Sequence, residues 1–462
     1  MTLLISPINH SLQATVRVPG SKSLTNRVLL IAALARGATR LTNALFSDDP
    51  NFFTAALLVL GFDVQLDPAR SEMTVTGLGG AIPAKQASLF IGNAGTAARF
   101  LSALLTLGHG EYLLDGDERM RQRPIGDLVS ALNGLGARLE AVDDCPPVKI
   151  VASGLPGGRT SVAGDVSSQF LSALLMVAPY AKAPIEIEVT TELNSKPYVD
   201  MTLAVMQDFG VQVRRAGYRN FSIPLSTYQL PISNLQSQTS NRKSPIPNPQ
   251  SPIVNRPSPI PYPQSPAPSP LASYTIESDA SAASYFFAAP AILGGSVRVE
   301  NISRRSKQGD MAFLDVLRKM GCAISEGQDS IEVSAGPPLS GVDVDMSDIP
   351  DTAQTLAAIA PFAASPTRIR GIASARVKET DRVAGACAEL RRLGVDVEEH
   401  DDGMSIYPCE EFKPASIRTY NDHRMAMAFS LVGLRVPGVT IENPACVTKT
   451  FPDFFATLES LR

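Results

Sequence analysis

Lys22, Ser23 and Arg27, in SKSLTNR, bring an ammonium, a hydroxyl and a guanidinium to one helix entrance, a set suited to holding an oxyanion. A serine at a helix start is commonplace as a cap, so this segment alone decides nothing. GNAGTAAR puts Gly95 at another start, where bare backbone lets a ligand come close. It matches neither G-x-G-x-x-G nor G-x-x-x-x-G-K-[ST], which removes dinucleotide and P-loop readings. Arg123, in RQRPIGDL, precedes a proline at a helix N1 position and is therefore held in extended backbone; a simply capped helix start explains that segment equally well. Ser167, Ser168 and Gln169 in VSSQF, with Ser195 and Tyr198 in NSKPYVD, are uncharged donors suited to phosphate and hydroxyl groups.

Candidates for proton transfer gather in the C-terminal half. Asp351, in DIPDTAQT, follows a proline at a helix start, where capping is the plain alternative. RVKETDR sets Lys378, Glu379 and Arg382 within one helical turn. A glutamate between two cations has its ionised form favoured unless burial counters them, and a solvated charged face is the competing reading. YNDHRMAM joins Asp422, His423 and Arg424, and histidine is the side chain most easily poised near neutral pH. Lys449, in TKTFPDF, completes a basic rim. Surface pairing with the 45 acidic residues would explain any one of these cations. It does not explain why Lys22, Arg27, Arg99, Arg123, Lys196, Lys378, Arg382, Arg424 and Lys449 all fall at or beside helix starts. If those starts face one another, they describe a cleft for one or two small polyanions bearing phosphate and carboxylate groups.

The elements that would position these groups recur. Small-residue helices begin near Ser21, Asn93, Ser167, Ser278, Pro350 and Asn421, at a typical spacing of about 72 residues. Each is followed by a second helix, and five of those end in a glycine that leads into a strand: Gly61, Gly136, Gly210, Gly321 and Gly394. The sixth second helix, KTFPDFFATLESLR, lacks its glycine and strand, and the segment Leu3 to Val18 is the expected replacement. One interval is too long, about 111 residues from Gly210 to Gly321 where the repeat calls for about 74. The stretch from about 229 to 270 accounts for the excess. It is rich in Pro, Ser, Gln and Asn and carries a tandem copy, NRKSPIPNPQSPIV from Asn241 and NRPSPIPYPQSPAP from Asn255. That composition reads as a disordered or polyproline-like insertion; a ligand for a polyproline-binding domain is the alternative.

Composition fits a two-domain globular enzyme: 462 residues, 44% apolar and 19% charged, with six repeat units dividing into two groups of three. A net charge of −4 opposes a nucleic-acid partner held by bulk electrostatics. No apolar run is long enough for a bilayer, and MTLLISPINHSLQATVRVPGSKS has neither signal nor transit character, so no membrane partner and a cytoplasmic location are expected. Five scattered cysteines without a C-x-x-C pair are expected to be reduced, and four histidines make a zinc constellation an unfavoured reading.

The ordered motifs SKSLTNR, GNAGTAAR, RPIGDL, SSQFL, SKPYVD, SDASAASYF, IPDTAQT, RVKETDR, YNDHRMAM and KTFPD resemble the enolpyruvylshikimate phosphate (EPSP) synthase family over essentially the whole chain apart from the insertion. The resemblance implies an α/β fold, a two-domain inside-out α/β barrel built from six repeated βαβαββ-type units. The domains would be residues 20–277 and residues 1–19 plus 278–462, with the chain crossing between them near Gly20 and Ser278. It further implies transfer of the enolpyruvyl group of phosphoenolpyruvate to the 5-hydroxyl of shikimate 3-phosphate, with no cofactor, no metal and a monomeric state. Shikimate 3-phosphate would be held by Lys22, Ser23, Arg27, Ser167, Ser168, Gln169, Ser195, Tyr198, Asp351, Ser374 and Lys378, and phosphoenolpyruvate by Lys22, Gly95, Arg123, Gln169, Arg382, Arg424 and Lys449. Asp351 would be the base at the 5-hydroxyl, Glu379 with Lys22 would handle the methyl-methylene proton, and His423 would support Glu379.

Ser374 stands where the bacterial pattern often has Asn, Ala98 and Phe100 where Met and Pro are frequent, and Ser278 where glycine is frequent. The GNAGTA core resembles the glyphosate-sensitive class, which implies inhibition by glyphosate at the phosphoenolpyruvate site. The related UDP-N-acetylglucosamine enolpyruvyl transferases carry a reactive Cys before their Arg-Pro motif, where this chain reads DGDERMRQRP. A nucleic-acid-binding relative of the RNA phosphate cyclase type conflicts with the acidic balance. A catalytically dead relative conflicts with the presence of Lys22, Asp351, Glu379 and Arg424.

Overall fold

The computed structural model describes residues 2–231, 271–336 and 339–462. The disorder expected of the insertion therefore concerns residues that lie, from 232 to 270, outside the described ones. The helices of the first series are rich in Ala, Ser and Leu and present no polar face. Every residue of Gly95–Leu105, Ala353–Ile359 and His423–Gly433 is buried, as is Leu24 to Leu34 within Lys22–Leu34. Helices apolar all round belong inside, and small side chains let their backbones approach. Their hydroxyls are satisfied within the helix: Ser102 Oγ donates to the Ala98 carbonyl at 2.7 Å and Ser430 Oγ to that of Ala426 at 2.6 Å.

Among the described residues, six sheets surround these helices. In the second repeat, Gln86–Phe90 pairs in parallel with His109–Asp115, which pairs antiparallel with Cys145–Ser153, and Leu139–Val142 lies beyond as the edge. A strand, a buried helix, a strand, a second helix and a hairpin thus follow one another in the second, third and fifth units. Strand alternation turns one face inward: Ile185, Ile187 and Val189 are buried while Glu186 and Glu188 between them face out. Buried helices with sheets outside them make an inside-out α/β barrel.

The repeat glycines end the second helices in one way. Gly61, Gly136, Gly210, Gly321 and Gly394 all have positive φ, between 82° and 109°. After each, the next residue's N–H reaches back to a carbonyl five positions earlier, as in Phe62 to Leu57 at 3.0 Å and Cys322 to Leu317 at 3.0 Å. This is the Schellman closure, for which glycine carries no Cβ penalty.

Three units take a strand from elsewhere in the chain. Ala272–Thr275 pairs in parallel with Arg36–Thr42 and completes the first unit. Leu12–Arg17 pairs in parallel with Gly295–Glu300 and completes the fourth. The sixth unit's missing strand is Thr2–Leu4, antiparallel to Thr440–Glu442. The expected replacement from Leu3 to Val18 is therefore divided between two units, because the chain turns between the short first strand and the second. Gly20 and Ser278 bridge each other where the two crossings run side by side. One apolar core spans Leu24 to Ile276; the other combines Ile5 to Val18 with Ala280 to Leu461.

Candidate active site

The helix starts of both cores bring their side chains together in two adjoining cavities. One cavity is lined by Lys22, Asp49, Gly95, Thr96, Arg123, Ser168, Gln169, Ser195, Tyr198, Asp351, Lys378, Glu379, Arg382 and Arg424. An adjoining one shares Lys22, Tyr198 and Arg424 and adds Ser23, Asp279, Ser281, Tyr285, Gln308 and Asp310. Both helix starts of every repeat contribute to this pair of cavities or stand beside it. Unpaired N–H groups and helix dipoles there add to the formal positive charge.

Arg382 is the hub of the ionic network. Its Nη1 lies 3.0 Å from Asp351 Oδ1, its Nη2 2.7 Å from Glu379 Oε2, and its Nε 2.8 Å from Asp422 Oδ2. Arg424 Nη2 is 2.6 Å from the other oxygen of Asp351. Glu379 Oε1 faces Arg123 at 3.7 Å and Lys449 at 3.6 Å, while Asp49 faces Lys22 at 3.5 Å and Lys449 at 3.3 Å. The Arg123–Glu379 and Lys449–Asp49 pairs, with Arg119 donating to the carbonyls of Lys378 at 2.8 Å and Glu379 at 3.0 Å, tie the two cores together.

Burial opposes ionisation of Asp351, yet the guanidiniums of Arg424 and Arg382 outweigh it and hold the carboxyl well below the usual carboxylate range. Glu379 is likewise buried and is held well below that range by Arg123, Arg382 and Lys449. Burial pushes the Lys378 ammonium down to about 8, with Asp351 opposing the shift and Arg382 adding to it. Burial and the neighbouring Arg424 hold His423 far below its ordinary value, so its imidazole is neutral.

Most residues singled out in the sequence reach the cleft. Lys22, Ser23, Gly95, Arg123, Ser168, Gln169, Ser195, Tyr198, Asp351, Lys378, Glu379, Arg382 and Arg424 line it. Lys449 reaches Glu379 from behind. Ser167 is an N-cap, its Oγ accepting from the Gln169 N–H at 3.3 Å. Others stand off the wall. Arg27 is enclosed between helices, donating to Thr202 Oγ1 at 2.7 Å and to the carbonyls of Ser23 at 2.9 Å and Tyr198 at 3.1 Å. Ser374 is buried in the short turn Ala373–Val377 that precedes Lys378. His423 is buried with neither ring nitrogen hydrogen-bonded, so it does not bond to Glu379, although the two are close enough to interact.

Asp49, Thr96, Tyr285 and Asp310 belong to the cleft and were not singled out in the sequence, although Thr96 lies within GNAGTAAR and Tyr285 within SDASAASYF. The repeat could have found two of them. Asp49, in SDDPNFF, and Asp310, in KQGDMAF, occupy second-helix starts, the repeat position that elsewhere supplies Arg382.

The likeness to known proteins runs along the whole chain. A family model described as EPSP synthase (3-phosphoshikimate 1-carboxyvinyltransferase) matches residues 7–225 and 262–458, and the interval between them falls largely in the Pro-rich stretch. A 3-phosphoshikimate 1-carboxyvinyltransferase of Trichormus variabilis is 46% identical over 457 residues, covering 98% of this chain and 97% of its own. One from Shewanella sp. (strain ANA-3) is 47% identical over 450 residues, covering 97% and 96%. A solved EPSP synthase structure from Acinetobacter baumannii superposes with a TM-score of 0.75 at 23% identity, covering 99% of this chain and 97% of that one, a likeness of fold. With its repeats, its converging helix starts and this full-length similarity, the chain belongs to the EPSP synthase family.

Proposed function

We propose that this chain transfers the enolpyruvyl group of phosphoenolpyruvate to the 5-hydroxyl of shikimate 3-phosphate, releasing phosphate. The observation that carries the reading is the meeting of Lys22 and Arg123 from one core with Arg382, Arg424 and Lys449 from the other, around the carboxylates Asp351 and Glu379. Lys22, Arg123, Gln169, Arg382, Arg424 and Lys449 hold the carboxylate and phosphate of phosphoenolpyruvate, beside Gly95. Ser23, Ser167, Ser168, Gln169, Ser195, Tyr198 and Lys378, with Lys22 and Asp351, hold shikimate 3-phosphate; Arg27 and Ser374 support that wall from behind.

The paired charges suggest how binding prepares the chemistry. An arriving anion competes with Asp351 for Arg382 and Arg424, and weakening those ion pairs raises the proton affinity of Asp351. Asp351 then accepts the 5-hydroxyl proton as oxygen attacks C2. Glu379 with Lys22 delivers a proton to the methylene carbon and removes one from the methyl group as phosphate leaves. Fixed cations around the developing charge supply much of the acceleration. Neutral His423, buried next to Arg424 in the chain, is placed to tune Glu379. Glyphosate, an anion, competes at the phosphoenolpyruvate subsite.

We also assign the two cores to domains 20–277 and 1–19 plus 278–462, closing about the adjacent crossings at Gly20 and Ser278. Among the described residues no helix is long and apolar enough to cross a membrane. The five cysteines are free, which supports a reducing compartment such as the cytoplasm, and we assign the chain a monomeric state. Phosphate release from phosphoenolpyruvate should require shikimate 3-phosphate. Release with UDP-N-acetylglucosamine instead would move the chain to the sister activity, and none with either would end the reading.

A further inference from the structure

Among the residues lining the cleft is a buried carboxyl that the reaction as described does not use. Asp310 sits in the turn Gly309–Ala312, at the second helix start of the fourth repeat, and is only 4% exposed. The phenol of Tyr198, from the opposite core, lies 3.1 Å from Asp310 Oδ2 and 3.2 Å from Asp351 Oδ2. Ser281 Oγ donates to the same oxygen of Asp310. A phenol has one proton to donate, so it can satisfy only one of the two carboxylates at a time. Burial and the two aspartates keep that phenol protonated far above its ordinary range.

The charges facing Asp310 are uneven. Asp351 and Asp279 repel it, Arg424 attracts it, and Lys22 and Tyr285 line the same cavity. Arg424 makes its close pair with Asp351, and Arg382 adds a second guanidinium there. Asp351 is thus held ionised while burial and the Asp351 charge push Asp310 up to about 7.

Resting on the enolpyruvyl-transfer reading, we propose that Asp310 is a positioning residue which, through the Tyr198 hydroxyl, holds the proton that Asp351 removes from the 5-hydroxyl until phosphate departs. The step balances. When the 5-oxygen bonds to C2, its O–H bond breaks and the proton passes to Asp351. Asp351 then gives a proton to the Tyr198 oxygen while the Tyr198 hydroxyl gives its own to Asp310, which restores the Asp351 carboxylate. The proton gained at the methylene carbon in addition is matched by the one lost from the methyl group in elimination. The stored proton returns by the same path as the C–O bond to phosphate breaks, and leaves on hydrogen phosphate. Asp310 must be ionised to receive it.

Asp310→Asn keeps an acceptor for Tyr198 and removes the titration. Phosphate release by the full chain, followed from about pH 5 to about pH 9, should show kcat falling on the acid side near neutrality. In Asp310→Asn that acid limb should disappear and kcat should drop about ten- to a hundredfold, with both KM values within about threefold. Asp310→Glu should restore a limb at a shifted midpoint, and it serves as the test if the Asn variant does not fold. A merely structural role would leave the limb where it was. An unchanged limb in Asp310→Asn, or an unmoved midpoint in Asp310→Glu, overturns this proposal alone. An unmodified chain that releases no phosphate overturns the enzyme reading and this one with it.

Discussion

Asp351 is the residue whose environment most constrains its chemistry. Gripped by Arg382 and Arg424 it is a poor base, and it becomes an effective one only when substrate anions take over those guanidiniums. Asp351→Asn should therefore lower kcat by about 10²- to 10⁴-fold. A loss below tenfold in steady-state phosphate release would remove it as the base. Gly95 acts by having no side chain, since a Cβ there would strike the Arg123 guanidinium. Gly95→Ala should displace Arg123 and raise KM for phosphoenolpyruvate more than KM for shikimate 3-phosphate; equal changes in both would place Gly95 outside that subsite. At this scale the cations were legible because their motifs recur in register. Asp310 shares the repeat position of Arg382, but its role is not written in GDM, because only folding brings Tyr198 against it. Arg27 shows the reverse: its motif reads as a ligand clamp, while the fold surrounds its guanidinium with carbonyls and hydroxyls.

Elements were easier to read than contacts. The five glycine closures are a local matter of φ, and each stands where the repeat places it. Gly321 offers the cleanest measurement, because among the described residues a Cβ there would meet only Leu339 Cδ2, at an ordinary 3.6 Å. Gly321→Ala should cost about 1–2 kcal/mol in denaturant unfolding through left-handed strain alone, and Gly321→Asn less. Equal losses from Ala and Asn would mean that packing, not backbone conformation, sets the requirement. Helix starts were legible to within a residue or two: Asp279 rather than Ser278, and Asp422 rather than Asn421, are the caps that accept backbone N–H bonds. Strand partners were not. Nothing within Ala272–Thr275 identifies Arg36–Thr42 as its neighbour, more than two hundred residues away, because pairing is chosen by the whole sheet.

At the scale of the molecule, the Pro-rich stretch is joined to a firm base. Tyr228 and Tyr274, just outside the two ends of the undescribed segment, both pack against Phe209, with ring centroids 6.4 and 5.6 Å away. Tyr228 donates to the Met176 carbonyl at 2.9 Å and Tyr274 to Asp208 at 2.8 Å. Replacing residues 232–270 by a linker of about six residues should leave kcat/KM unchanged and stabilise the chain by about 1.5 kcal/mol of loop-closure entropy. Lost activity would show that the stretch takes part in function. The borrowed strands bear on how the molecule is made as well as on how it stands. Leu12–Arg17 leaves the ribosome early, yet its partner Gly295–Glu300 follows roughly 280 residues later, about 15–60 s at ordinary elongation rates. Arg36–Thr42 waits nearly as long for Ala272–Thr275, and Thr2–Leu4 waits longest, for Thr440–Glu442. The first barrel cannot close before Ala272–Thr275 emerges, nor the second before Thr440–Glu442, so nascent chains carry open sheet edges until then.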